Sequence, residues 1–335
     1  MPVPYANRIY FPNNGAAAVI RPFCDRAPTL TGPIELVLDN NALLHPEWLT
    51  SLPKGRELIL SPYLAIAEQW LSNPDFRIDA ESRINEFIGK FEKLGARFRT
   101  GYAGELATQL SQNDAQLKYQ HAVTFGYIAI CRKLLDLKWT EEKASRWLAE
   151  LSREDVPRFS GCLLLASLVI FLKNRQSICL PQDDALAYSY LQTFLAFHPK
   201  KKGEANYITE AYLRNRAGDL ALWYGVPLLT EQSLAWGGEP VIVTEDKALH
   251  RLLFRLIPPV YGTGKQIGFS PAYREMATGD WNGWHAIVSQ LNFEFAAPLE
   301  SEKALRLRKL FEKAEELCFK QEEKDELALA YKNWL

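Results

Sequence analysis

The sequence predicts an α/β protein with a central, mainly parallel sheet, and three observations carry that expectation. Ile34-Glu35-Leu36-Val37-Leu38 and Val241-Ile242-Val243 are short, nearly continuous apolar runs, the habit of strands covered by helices on both faces. Each run leads into a carboxylate, Asp39 in Asp39-Asn40-Asn41 and Asp246 in Thr244-Glu245-Asp246. Around them lie segments whose apolar residues recur at three- and four-residue spacing, so strands alternate with helices.

Composition bounds the rest. With 335 residues, 47% hydrophobic and 24% charged, the chain supplies core for one large or two ordinary domains. Lysine and arginine number 39 against 40 acids, for a net charge of -1, so any polyanion site must be local. The five cysteines are scattered without a Cys-x-x-Cys pair, which suggests a reducing, cytoplasmic setting. The N-terminus lacks the basic-then-apolar layout of a signal peptide, and the longest apolar run, Gly161 to Leu172, is too short to span a bilayer. No membrane association is expected, and that run reads as a buried helix.

Element by element, residues 1–30, rich in proline and asparagine, read as a segment wrapping an edge of the body. Residues 31–80 begin with the Ile34 strand, then a short helix over about Asn41 to Leu52 and a second strand at Leu58-Ile59-Leu60. Ser61-Pro62 then reads as N-cap and first helical position. In the following helix Leu64, Ala67 and Leu71 form one stripe, and Glu68 falls on it, an inward acid in need of a partner.

Residues 81–203 are helical in pattern: Ile84, Phe87, Ile88 and Phe91, then Tyr127 to Leu137, Glu141 to Leu151, Gly161 to Leu172 and Ala185 to Phe197. They read as a large helical insertion. Over residues 204–260 a helix from about Glu204 to Tyr224 leads into a strand at Val226 to Thr230 and then the Val241 strand. Residues 261–298 form a glycine- and aromatic-rich loop region whose tryptophans either stack on bases or anchor the loop in the core. Residues 299–335 form a C-terminal amphipathic helix, with Leu307, Leu310, Phe311, Ala314, Leu317 and Cys318 on the face that closes the body or meets a partner.

Four acids stand out in this layout: Asp39 after the first strand, Glu68 on the second helix, Asp219 in a later helix, and Asp246 after the late strand. Carboxylates on separate elements suit Mg²⁺ or Mn²⁺, which take hard oxygen ligands and leave positions open for water and phosphate. Each acid also has a plainer reading: strand-end caps for Asp39 and Asp246, an ion pair under the sheet for Glu68, a solvated helix acid for Asp219. Asp183-Asp184 competes with Asp219, and Thr230-Glu231-Gln232 offers another frame for the last motif, without its aspartate.

In order and element type the four acids resemble the PIN-domain nuclease pattern, with Asp39-x-Asn41 matching the first element and Thr244-x-Asp246 the last. The resemblance covers residues 31–80 and 204–256, under half the chain, and the long insertion departs from a compact unit of that kind. It implies a PIN-like three-layer fold and metal-dependent phosphodiester hydrolysis, with Asp39, Glu68, Asp219 and Asp246 as catalytic metal ligands. RNA is the implied substrate rather than DNA, with a toxin or defence effector as the implied role. Asn41, Thr244 and Asn215 would support the ligands, and Arg214, Arg216 and Lys247, with the Lys200-Lys201-Lys202 triplet, would meet phosphates.

Two alternatives stand beside it. A catalytically inactive PIN-like module would bind RNA or serve as a scaffold in a multi-protein complex, as a homodimer or with another protein through the insertion or C-terminal helix. A haloacid-dehalogenase-like phosphatase would use Asp39 as nucleophile, but that pattern needs an aspartate where Asn41 stands. The histidines show no zinc-type spacing, and Gly262-Thr263-Gly264-Lys265 lacks the full P-loop spacing, which argues against an ATPase.

Overall fold

The computed structural model describes residues 8–11, 17–25, 31–52, 55–98, 100–181, 185–197, 205–231, 236–261, 267–276, 279–294 and 299–334. In chain order the strands are β1 (Ile9–Phe11), β2 (Ala18–Ile20), β3 (Ile34–Leu38), β4 (Leu58–Ser61), β5 (Glu239–Thr244), β6 (Pro259–Tyr261) and β7 (Ile267–Phe269). The helices are α1 (Asn40–Leu44), α2 (Tyr63–Ser72), α3 (Pro74–Ile78), α4 (Ala80–Glu92), α5 (Tyr102–Gln112), α6 (Asp114–Asp136) and α7 (Glu141–Leu151). They continue with α8 (Ser160–Asn174), α9 (Ala187–Leu195), α10 (Glu210–Glu231), α11 (Phe254–Leu256), α12 (Asn282–Val288), α13 (Glu300–Glu316) and α14 (Gln321–Trp334). The protein is mixed α/β, and the chain divides into two compact units, Met1–Leu117 with Gly218–Gly268, and Lys118–Ala217 with Phe269–Leu335.

The first unit is built on a five-stranded sheet in the order β1-β2-β5-β3-β4. Every residue of β3 is buried, as its apolar run requires of a central strand. β3 pairs in parallel with β4 (Leu36↔Leu60) and with β5 (Leu36↔Val241, Leu38↔Val243). The parallel character expected from the sequence holds for these three strands. Beyond β5 the sheet is antiparallel, because the N-terminal segment expected to wrap an edge supplies β1 and β2 as strands. Val19 and Ile20, almost wholly buried there, give β5 a partner for backbone groups that an open edge would leave unpaired.

Several local expectations change. Ser61 is the last residue of β4 rather than a helix cap, and Pro62 takes the N-cap position of α2. The Asn41 to Leu52 segment splits into α1 and a 3₁₀ helix at Pro46–Ser51. Val226 to Thr230 is not a strand: α10 continues through Pro227 to Glu231. Leu220, Leu222, Trp223 and Val226 are all buried, and a short apolar run buried all round suits helix and strand equally. Here Trp223 Nε1 donates to Ile257 O at 3.0 Å and Thr230 Oγ1 to Val226 O at 2.8 Å, which hold the helical course past the proline.

The expected insertion over 81–203 also divides. α4 and α5 belong to the first unit, whereas α7, α8 and α9 belong to the second. In the second unit α8 is buried from Gly161 to Leu172. The single C-terminal helix is two, α13 and α14; no glycine or proline marks the break at Leu317-Cys318-Phe319-Lys320. Leu307, Leu310, Phe311 and Ala314 are buried against the unit's own body, with Leu310 so close to Gly126 on α6 that a Cβ there would lie 2.7 Å from its Cγ. Lys133 Nζ holds both carboxylate oxygens of the buried Glu323 at 2.8 Å. Trp281 and Trp284 are core anchors, with Trp284 Nε1 donating to Ser167 Oγ at 2.7 Å, and so are not available to stack on bases. Among the described residues no helix is long and apolar enough to cross a membrane.

Candidate functional site

The chain leaves β3 through α1 toward β4, while β5 flanks β3 on the opposite side, so strand order reverses between β3 and β5. Such a reversal opens a crevice at the carboxyl ends of parallel strands, the usual ligand position in open α/β sheets. Asp39 stands there directly after β3, and Asp246 two residues after β5. Asp39 N–H donates to Val243 O at 3.0 Å, fixing the end of one strand against the other.

The Asp39 side chain is held on both oxygens. Oδ1 accepts Ala42 N–H at 2.6 Å, making Asp39 the N-cap of α1. Oδ2 accepts the Thr244 hydroxyl and, at 3.2 Å, Glu245 N–H. The Thr244 oxygen in turn accepts Asp246 N–H at 3.1 Å, so its one proton goes to Asp39. Asp246 Oδ1 accepts Leu249 N–H at 2.8 Å at the start of a π-helical turn, Leu249–Leu253. Both aspartates therefore serve as caps, and they also interact with each other. Burial raises the Asp39 pKa, the bonds from Ala42, Thr244 and Glu245 oppose the rise, and the Asp246 charge adds to it.

Glu68 enters from α2, the helix that follows β4. Its neighbours Leu64, Ala65, Ile66, Ala67, Trp70 and Leu71 are buried, and Glu68 itself is partly buried. The ion pair that an inward acid would want is missing among the described residues; the charges facing it are negative. Burial first, then Asp219 and Asp39, push its carboxyl up to about 8. It fits against α10 only because residue 218 is glycine: a Cβ there would lie 2.6 Å from Glu68 Cδ and 2.7 Å from Oε1. Asp219, the next residue, is half-buried.

Three carboxylate interactions thus run Asp246 to Asp39, Asp39 to Glu68 and Glu68 to Asp219. Asn40 rather than Asn41 reaches α2, accepting from Gln69 Nε2 at 2.5 Å, while Asn41 is exposed. Asn40 and Gln69 carried no motif in the sequence; only the start of α1 at Asn40 turns that side chain toward α2. Lys247 is exposed beside Asp246. His250 reports a positive field there, its pKa lowered to about 4 by burial and then by Arg251 and Lys247.

Arg214, Asn215 and Arg216 fall in the second unit, with Asn215 exposed and the Arg216 guanidinium 5.7 Å from the Phe194 ring centroid. Lys200 to Lys202, Asp183, Asp184 and Gly262 to Lys265 lie outside the described residues.

The donor set is all hard oxygen, and Asp39 and Glu68 are each raised by a neighbouring carboxylate, so these residues suit Mg²⁺ or Mn²⁺ in kind. Among the described residues, no group of three or more His, Cys, Asp or Glu side chains has the geometry to hold one ion as the side chains stand. Engagement by more than two acids therefore requires side-chain rotation. No protein-family model, curated protein or solved structure matches the chain.

Proposed function

We propose that the chain is a metal-dependent phosphodiesterase, an endoribonuclease of PIN-like type, acting at the crevice between β3 and β5. The observation that carries this reading is Glu68, a partly buried carboxylate set against Gly218, its carboxyl pushed up to about 8 by burial and by the negative charges of Asp219 and Asp39. Such an arrangement costs folding free energy unless a ligand returns it. A bound Mg²⁺ or Mn²⁺ would supply Lewis acidity and lower the pKa of a coordinated water. The ligands would be Asp39 and Asp246 from the strand ends, joined by Glu68 and Asp219.

The chain's own contribution is positioning. Ala42, Thr244 and Glu245 hold the Asp39 carboxyl in one orientation at the crevice, so this side chain is already positioned. Lys247 and Arg251 supply positive charge beside Asp246, suited to phosphate oxygens. RNA is preferred over DNA on the resemblance of the four acids, and a defence or stress effector is the role it suggests. The five free cysteines, four of them buried, suit a reducing cytoplasmic setting.

The test is cleavage of fluorophore-labelled single-stranded RNA and DNA by the full chain with Mg²⁺ or Mn²⁺ and with EDTA, beside calorimetric Mn²⁺ titration. Metal-dependent RNA cleavage, lost together with Mn²⁺ binding in Asp39→Asn, supports the reading. One observation favours a second reading, an inactive RNA-binding or scaffold module: Asp39 and Asp246 already act as caps. RNA binding without cleavage, unchanged in Asp39→Asn, would establish that alternative.

A further inference from the structure

A half-open cavity of about 600 Å³ lies in the first unit, lined in part by Glu35, Tyr63, Tyr102, Glu105, Leu106 and Leu229. Its size is that of a small-molecule site. Glu35 is four residues before Asp39 on β3, about 13 Å along an extended strand, so the cavity is separate from the acids described above.

The chemistry of the lining is one-sided. Glu35 is nine-tenths buried, yet only its Oε2 is engaged, accepting Gly237 N–H at 2.7 Å. Its other oxygen accepts no hydrogen bond among the described residues. Glu105 adds a second carboxylate at the exposed rim, and no lysine, arginine or histidine is among the described lining residues. A carboxylate mostly withdrawn from bulk water, with one oxygen left to the cavity, favours a cation, because partial burial weakens hydration that an opposite charge or a donor replaces. Tyr63 and Tyr102 put aromatic rings, whose faces attract cations, in the lining, and Leu106 and Leu229 give it an apolar side.

From this lining we infer that the cavity binds an organic ammonium: a protonated amine carried on an apolar or aromatic body, its nitrogen on Glu35. A free inorganic cation would not use the leucine wall, and an anion would meet two carboxylates.

Calorimetric titration of the full chain at pH 7 with phenethylammonium and with its neutral counterpart 2-phenylethanol tests this. Saturable binding of the ammonium, at least tenfold tighter than the alcohol, is expected, with Glu35→Gln cutting ammonium affinity at least tenfold and leaving the alcohol unchanged. Leu229→Trp, at a half-exposed wall position, narrows the cavity without touching Glu35 and should weaken both compounds at least tenfold. Asp39→Asn should leave ammonium binding intact, which keeps this inference separate from the nuclease reading. Absence of saturable binding, equal binding of the alcohol, or full binding by either cavity variant would overturn it.

Discussion

The Glu68 carboxyl lies against the backbone of Gly218, so close that a methyl group on residue 218 would sit 2.6 Å from Glu68 Cδ. A single glycine on α10 thus permits an acid on α2 to share space with Asp219. Because the obstructed atoms are the flexible end of a glutamate, Gly218→Ala should keep folding free energy within about 1 kcal/mol, helped by alanine's better helix propensity. It should nonetheless weaken Mn²⁺ binding and RNA cleavage at least tenfold. Gly225→Ala is the control: it presses on buried Leu64, at 2.8 Å from Cδ2, and should cost about 1–3 kcal/mol while sparing Mn²⁺ binding. Equal Mn²⁺ affinity in Gly218→Ala and wild type would show that Glu68 has no part in the site.

Glu68 also sets a pH dependence. Its carboxyl is raised from 4.5 to about 8, so the folded chain holds that proton more tightly than the unfolded chain does. Stability from this residue is complete below about 4.5 and is lost as pH rises through about 8. At about 1.4 kcal/mol per pKa unit, the loss is of order a few kcal/mol, reduced by partial solvent access. Urea midpoints from pH 4.5 to 8.5 in EDTA should show this decline in wild type and lack it in Glu68→Gln. Added Mn²⁺ should restore stability most at the alkaline end.

Asp39 and Thr244 can be separated. Asp39→Asn keeps the Oδ1 bond to Ala42 but replaces the oxygen that accepts from Thr244 and Glu245 with a donor. Its folding cost of about 1–3 kcal/mol is partly offset by relief of burial and of the Asp246 charge. Cleavage should fall by at least about a hundredfold. Thr244→Val removes both the donor to Asp39 and the acceptor for Asp246 N–H, so a loss of about 1–3 kcal/mol with weaker but detectable cleavage is expected. Thermal unfolding and initial rates measured on the same preparations resolve the two effects.

In the second unit, Lys133 and Glu323 form a buried ion pair with Ile208 N–H at 3.4 Å from the same carboxylate. Lys133→Met leaves that charge uncompensated and should cost about 3–5 kcal/mol, whereas the double variant Lys133→Met, Glu323→Leu should recover much of it. A double-mutant cycle on urea midpoints reads the difference.

Pro227 lacks the amide that would bond Trp223 O inside α10. Pro227→Ala should therefore stabilise the protein by about 1–3 kcal/mol. A lower melting temperature would mean that the proline shapes this part of the helix to advantage.

The strands bearing Asp39 and Asp246 were legible because buried parallel strands leave a continuous apolar signature ending at the crevice. α7 matched its expected limits, since its apolar residues keep helical spacing behind Thr140, whose hydroxyl accepts Lys143 N–H. Val226 to Thr230 misled because an apolar run of five residues is too short to show a period that separates helix from strand. β1 and β2 were hidden because three-residue strands paired at an edge carry too little pattern. Among site residues, Asn40 was missed for Asn41 because one step along a helix turns a side chain by about 100°.

By itself the sequence determined the α/β class, the strands β3, β4 and β5, and the acids that follow β3 and β5, all of which follow from local burial and chain order. Only the tertiary structure decided which carboxylates repel one another, that Gly218 makes room for Glu68, that Asp39 and Asp246 share Thr244, and that 81–203 divides between two units. Most of those relations join residues more than a hundred positions apart. Through-space charge and steric contact depend on distance in the fold, on which spacing along the chain is silent.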